Sequence, residues 1–121
     1  MKAGDFNLSQ RGRSFAHALR GLGYLVRTQP HARLHIIATT GVIVAGMVLE
    51  VSRGEWLLLV LAIGLVWMAE ALNTALEALA DAVHPEHHPL VGRAKDVAAA
   101  GVLLSAIAAA VVGLWIFIPR L

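Results

Sequence analysis

Residues 56–81 read WLLLVLAIGLVWMAEALNTALEALAD, and the change of character within this stretch decides the fold. From Trp56 to Ala69 there is no charge; carboxylates begin at Glu70, yet helical periodicity runs on to about Val83. The pattern predicts one helix from about Gly54, with a membrane span set at 55–83. Such a helix is roughly 45 Å long against a hydrocarbon core of about 30 Å, so its acidic end reaches the interface. Glu70, Asn73, Thr74, Glu77 and Asp81 share about one quadrant of its surface at 100° per residue. An ionised group at membrane depth costs several kcal/mol unless something compensates it. Three carboxylates in one line therefore require a cation, protonation, or both. Two blander readings stay open: a hydrogen-bonded packing seam, or a face wetted at the cytoplasmic interface.

The rest of the chain fits an all-α integral membrane protein. Of its 121 residues 58 % are hydrophobic and 15 % charged, against about 45–50 % and about 25 % in soluble domains. So short a chain cannot bury that much apolar surface by itself. Val97 to Ile118 carries no charge, and Pro119 and Arg120 close the run, which gives a span at 97–118. Ile36 to Leu49 forms a shorter run, expected to cross at 34–51 with His35 and Glu50 snorkelling at its ends. Residues 1–33 hold Lys2, Arg11, Arg13, Arg20, Arg27 and Arg33 against Asp5 alone. Phe15, Ala18, Leu19, Leu22, Leu25 and Val26 repeat there at helical spacing, predicting an amphipathic helix on an anionic membrane surface. Pro30 is expected to separate it from the first span. No apolar stretch of signal-peptide form precedes a cleavage site. The positive-inside rule places the N-terminus and the second loop in the cytoplasm. With no cysteine, thiolate catalysis, disulfides and cysteine zinc sites are excluded, and no groove-reading motif suggests nucleic acid.

The second loop, expected over 84–96, reads His84-Pro85-Glu86-His87-His88-Pro89-Leu90-Val91-Gly92-Arg93-Ala94-Lys95-Asp96. Its prolines interrupt helix in the first half. Lys95 and Asp96 are placed where the third span begins, Asp96 as a cap or dipole partner. A lysine beside a carboxylate at a membrane surface also suits a polyphosphate and its metal. His84, His87 and His88 lack a helical ligand face and an HExxH spacing, so interfacial hydrogen bonding is preferred to zinc.

Glu70-Ala-Leu-Asn73-Thr-Ala-Leu-Glu77, then Asp81, Glu86, His88 and Ala94-Lys95-Asp96 before an alanine-rich helix, resembles the prokaryotic diacylglycerol kinase family, which includes the undecaprenol kinases. Ser14-Phe15, Ala18, Gly21, His35 and His88-Pro89-Leu90 resemble the undecaprenol-kinase branch. The resemblance implies an N-terminal surface helix and three spans in a bacterial plasma membrane. It also implies a homotrimer with active sites between subunits, and transfer of the ATP γ-phosphate to a lipid hydroxyl with Mg²⁺. On the same footing Glu70 is the expected base and Asn73 orients the reacting groups. Glu77 and Gln29 are the expected metal positions. His17, Gln29, Glu77, Glu86, His88, Lys95 and Asp96 match positions that hold ATP. Glu70, Ser14 and Ala99 match positions facing the lipid, diacylglycerol or undecaprenol. Gln29 is a departure, because the family usually carries a metal-binding glutamate there; His31 or Asp81 can assist a weaker site.

Without the resemblance the residues support functional carboxylates at an interface, not a reaction. There is no Walker A sequence and no GxGxxG. The small residues Ala98, Ala99, Ala100, Gly101, Ala106, Ala108, Ala109, Ala110 and Gly113 permit close helix approach in an oligomer. Two other functions are carried forward: a cation or proton path along the stripe, and a non-enzymatic membrane subunit that kept the fold. The absence of polar steps from Trp56 to Ala69 disfavours a continuous ion path.

Overall fold

A computed structural model describes residues 7–121, so Lys2 and Asp5 of the basic segment lie outside the described residues. Asn7 caps the first helix by accepting from the Ser9 backbone N–H at 3.0 Å. That helix, α1, runs Leu8–Thr28 and is followed by α2 at Pro30–Val48, α3 at Arg53–Val83 and α4 at Pro89–Phe117. A single turn of 3-10 helix, Ile118–Arg120, closes the chain. Gln29 is extended and Pro30 occupies the first turn of α2, where its missing N–H costs no helical hydrogen bond. The break expected at Pro30 is therefore one residue wide.

Among the described residues three helices are long and apolar enough to cross a membrane: Pro30–Val48, Arg53–Val83 and Pro89–Arg120. The last begins eight residues before the expected span at 97, so the loop over 84–96 shortens to His84–His88. Pro89 starts a helix where it was read as stopping one, because proline is tolerated at the first helical position. The His88 ring, through Nδ1, accepts from the Leu90 N–H at 3.1 Å and caps α4. Asp96 is thus a full turn or more inside the helix and does not cap it.

The α2–α3 turn is fixed by local chemistry. The Val51 N–H donates to the Gly46 carbonyl at 3.1 Å, Glu50 takes φ 53°, and Val51 is buried, which together form a Schellman ending. Ser52 then opens α3 with a reciprocal capping box: its hydroxyl accepts from the Glu55 N–H, and the Glu55 carboxylate accepts from the Ser52 N–H.

Little of the chain is buried. Val51, Leu59 and Ile116 form the core, with Val42, Trp56, Val112 and Phe117 packed against it. The accessible surface is 9049 Å², against about 6,300 Å² for a compact soluble chain of this mass. Leu57, Leu61, Leu65, Met68, Leu72 and Leu79 on one side of α3 are all exposed, as lipid-facing residues are. The opposite side carries Leu59, Val66, Glu70 and Thr74, all buried.

Candidate active site

The buried side of α3 is one stripe with two chemistries. Trp56, Leu59 and Val66 make its apolar half; Glu70, Thr74, Glu77 and Asp81 continue the same face toward the C-terminus. Glu70 is 4 % exposed and Thr74 6 %. Asn73 and Glu77 are half-buried and Asp81 is exposed, so the stripe emerges toward solvent as it goes. Glu70 and Glu77 are separated by two turns, roughly 10 Å.

Glu70 faces α2. The His35 imidazole Nε2 lies 3.4 Å from Glu70 Oε2. One turn along α2, the Trp67 indole N–H donates to the Thr39 hydroxyl at 3.0 Å. The His35 and Trp67 rings are 6.0 Å apart and inclined at 60°. His35 was expected to snorkel toward the headgroups; instead it turns inward, because a buried carboxylate on the facing helix offers a better partner than the interface. A cavity of about 200 Å³ among α2, α3 and α4 begins at His35, Thr39 and Trp67 and runs along Ala106, Ala109 and Gly113.

Ion pairs mark the register of α4 on α3. The Lys95 ammonium donates to Asp81 Oδ1 at 2.6 Å. At the far end the Arg120 guanidinium donates to Glu55 Oε2 at 2.7 Å and also grips Oε1. The helices are antiparallel, and both pairs obey the same offset to within a residue. Glu70 then stands level with Ser105, and Glu77 with Ala99. The His35–Glu70 and Thr39–Trp67 contacts mark the register of α2 on α3 in the same way, and they place Gln29 level with Leu76 and Glu77. Three helices thus deliver Gln29, Glu77, Asp81 and Lys95 to one end of the bundle.

Other expected residues stand apart within a single chain. Glu86 is exposed and approaches only the His84 ring, at 3.8 Å. Asp96 points roughly 100° away from Lys95 around α4 and is exposed. Ala99 is exposed on α4, and His17 is exposed on α1. The exposed Ser14 shares the α1 face of Ala18, Leu22 and Leu25, and its hydroxyl donates to the Gln10 carbonyl at 3.0 Å. That face meets α3 along a groove lined by Ala18, Leu22, Leu25, Ala71, Thr74 and Ala78. The sequence reading missed the partners of the site, His35 for Glu70 and Asp81 for Lys95. The signal for His35 was available: His35 and Thr39 are one turn apart on a run whose other polar side chain is Thr40.

The polar atoms of the stripe are incompletely satisfied. Asn73 Oδ1 and Thr74 Oγ1 are buried with no hydrogen-bond partner among the described residues, a loss of about 1–3 kcal/mol each in a finished interior. No group of three or more His, Asp or Glu side chains converges among the described residues. The donors at this end, Gln29 and Glu77 with Asn73 and Asp81 one turn to either side of Glu77, are hard oxygens, two of them carboxylates. This set fits Mg²⁺, which commonly takes one or two carboxylates and completes its octahedron with phosphate and water.

A family model described as prokaryotic diacylglycerol kinase matches residues 16–117. The undecaprenol kinase of Bacillus subtilis (strain 168) is 39 % identical over 109 residues, covering 90 % of this chain and 89 % of that protein. The diacylglycerol kinase of Synechocystis sp. is 40 % identical over 109 residues, 89 % of this chain and 62 % of that protein. The diacylglycerol kinase of Escherichia coli (strain K12) is 41 % identical over 63 residues, 52 % of each chain. The chain belongs to the prokaryotic diacylglycerol kinase family.

Proposed function

We propose that this family member is an ATP-dependent membrane lipid kinase whose reaction centre is the polar half of α3. The observation that carries this reading is the buried Glu70, followed on the same face by Asn73 and Thr74 with unpartnered oxygens and by Glu77. A packing seam would have paired those oxygens within the chain. An ion path would have needed polar groups through the apolar half of α3. The undecaprenol kinase that matches along nine-tenths of both chains favours undecaprenol as acceptor over diacylglycerol.

In this mechanism ATP arrives from the cytoplasm, where the basic residues of α1 and Arg93 and Lys95 of α4 are placed by the positive-inside rule. The lipid hydroxyl enters from the membrane interface along the buried face. Glu70 accepts the hydroxyl proton while the oxygen attacks the γ-phosphorus and ADP departs, so the proton lost by the alcohol ends on the carboxylate. Asn73 donates through its amide to the reacting oxygens, and Lys95 meets phosphate charge. Glu77, Gln29 and Asn73 Oδ1 are the residues that would hold Mg²⁺; the ion supplies charge neutralisation on the phosphates.

His17, Glu86 and Asp96 are exposed and are not brought to Glu77 within a single chain, and the surface far exceeds that of a compact monomer. A second copy bringing these groups to the Glu77 level completes the nucleotide site. A homotrimer, with sites shared between subunits, satisfies that need.

The test is phosphate transfer in mixed micelles from labelled ATP with Mg²⁺, supplied with either undecaprenol or diacylglycerol. Label is expected in the lipid, undecaprenol first, and Glu70→Gln is expected to abolish it. A folded wild-type protein that labels neither lipid, or a fully active Glu70→Gln, refutes the assignment.

A further inference from the structure

We propose that His35 is a positioning residue for Glu70, an inference that rests on the kinase reading above. The imidazole fixes which carboxylate oxygen faces the lipid hydroxyl. Glu70 has a flexible side chain in a nearly closed environment, and among the described residues it approaches one polar side chain, His35 with Nε2 at 3.4 Å from Oε2. That distance is slightly beyond ordinary hydrogen-bond length, and a few tenths of an ångström of movement completes the bond, as happens when apo sites close. With Nε2 carrying the hydrogen, the ring donates to Oε2 and leaves Oε1 as the acceptor for the substrate proton.

The ring itself is held. Trp67 packs beside it at 6.0 Å, and Trp67 is anchored to α2 by its hydrogen bond to Thr39. His35 and Thr39 on α2, and Trp67 and Glu70 on α3, therefore make a four-residue brace across one helix pair. His35 also lines the cavity that Ala106, Ala109 and Gly113 of α4 complete. The brace thus borders open space on one side and the carboxylate on the other. A residue serving only to fasten α2 to α3 has no need of a ring nitrogen aimed at the buried Glu70 carboxylate.

His35→Phe keeps the ring volume and removes the donor. The expected result is a fall in kcat of about tenfold to a hundredfold, the worth of a hydrogen bond to a charged group, with KM for ATP unchanged. His35→Gln returns an amide N–H near the Nε2 position and is expected to recover much of kcat. A readout without turnover accompanies this: the infrared carboxyl band of Glu70, identified by its loss in Glu70→Gln, shifts in His35→Phe and moves back in His35→Gln. Wild-type kcat in His35→Phe, a loss carried by KM alone, or an unshifted band overturns the proposal. If His35→Phe does not fold, Thr39→Val loosens the brace from its other end. A several-fold fall in kcat at constant KM is expected there, and unchanged kcat overturns the proposal. Because the infrared measurement needs no activity, the two failures are distinguishable: a silent kinase assay refutes the kinase reading, and an unshifted band in His35→Phe refutes the hold of His35 on Glu70 whatever the assay shows.

Discussion

Replacing Lys95 separates a structural ion pair from a nucleotide contact by magnitude alone. Lys95 Nζ lies 2.6 Å from Asp81 Oδ1, but the Lys95 side chain is 35 % exposed and that of Asp81 66 %. A pair this open is worth about 0.2–1 kcal/mol after screening and side-chain entropy. Lys95→Met should therefore lower the unfolding free energy by no more than about 1 kcal/mol. A charge-assisted contact to a phosphate inside a closed site is worth more, about 1.5–3 kcal/mol. Its loss lowers kcat/KM for ATP by roughly tenfold to more than a hundredfold. Asp81→Asn is the comparison, since it breaks the same bridge and leaves the ammonium in place. Measured in one detergent, the two variants should show similar small losses in denaturant midpoint. Their kcat/KM for ATP should differ by at least about tenfold, Lys95→Met being the worse. Equal kinetic losses would tie Lys95 to the fold through Asp81, and an unchanged kcat/KM in Lys95→Met would refute the phosphate role outright.

Metal dependence and packing give two further expectations. Glu77→Gln removes the carboxylate level with Gln29 and should raise the Mg²⁺ required for half-maximal transfer about tenfold or more, whereas Gln29→Glu should lower it; a Mg²⁺ titration that moves in neither variant removes both residues from the metal site. A Cβ on Gly46 would lie 2.6 Å from Cη2 of Trp56 and 2.9 Å from Cζ2, so Gly46→Ala should cost about 1–3 kcal/mol by overpacking. Combining it with Trp56→Leu should return part of that loss, and strictly additive effects in chemical denaturation would show that the two do not meet.

The helices were legible because the membrane simplifies the code: long uncharged runs admit few alternatives. Their ends were less so. Pro85 and Pro89 looked alike in sequence, yet one lies in a loop and the other begins a helix, a choice decided by His88 capping the Leu90 N–H. The capping box at Ser52 and Glu55 is a local pattern and was readable three residues apart. For the site, the face shared by Glu70, Thr74, Glu77 and Asp81 follows from one helix's periodicity and needs no tertiary information. The partners do not. His35 and Glu70 are on different helices, and their meeting depends on the α2–α3 register, which the Gly46–Trp56 approach and the Schellman turn set together. A helical wheel gives each helix its inward face but not the height at which two faces coincide.

That dependence on height explains how stability and chemistry are divided along α3. Its N-terminal half holds the capping box, the Trp56 ring against Gly46, the buried Leu59 and the Glu55–Arg120 clasp. These contacts hold α2, α3 and α4 together without any group of the polar stripe. Glu55 and Asp81 are 26 positions apart, so the clasp and the Lys95–Asp81 bridge stand roughly 39 Å from one another along the axis. Between them the register is transmitted by rigid helices, which is why Gln29, Glu77 and Lys95 lie at one end of the bundle although, among the described residues, Lys95 pairs with Asp81 and not with the other two. A chain organised in this way can leave Asn73 and Thr74 unsatisfied at the acidic end, because the folding free energy is gathered elsewhere. The unsatisfied oxygens are then available to whatever enters, and the energy released on satisfying them goes to binding. Substitutions in the apolar half should accordingly act on stability first and on turnover through register, while substitutions from Glu70 onward should act on turnover with little change in stability.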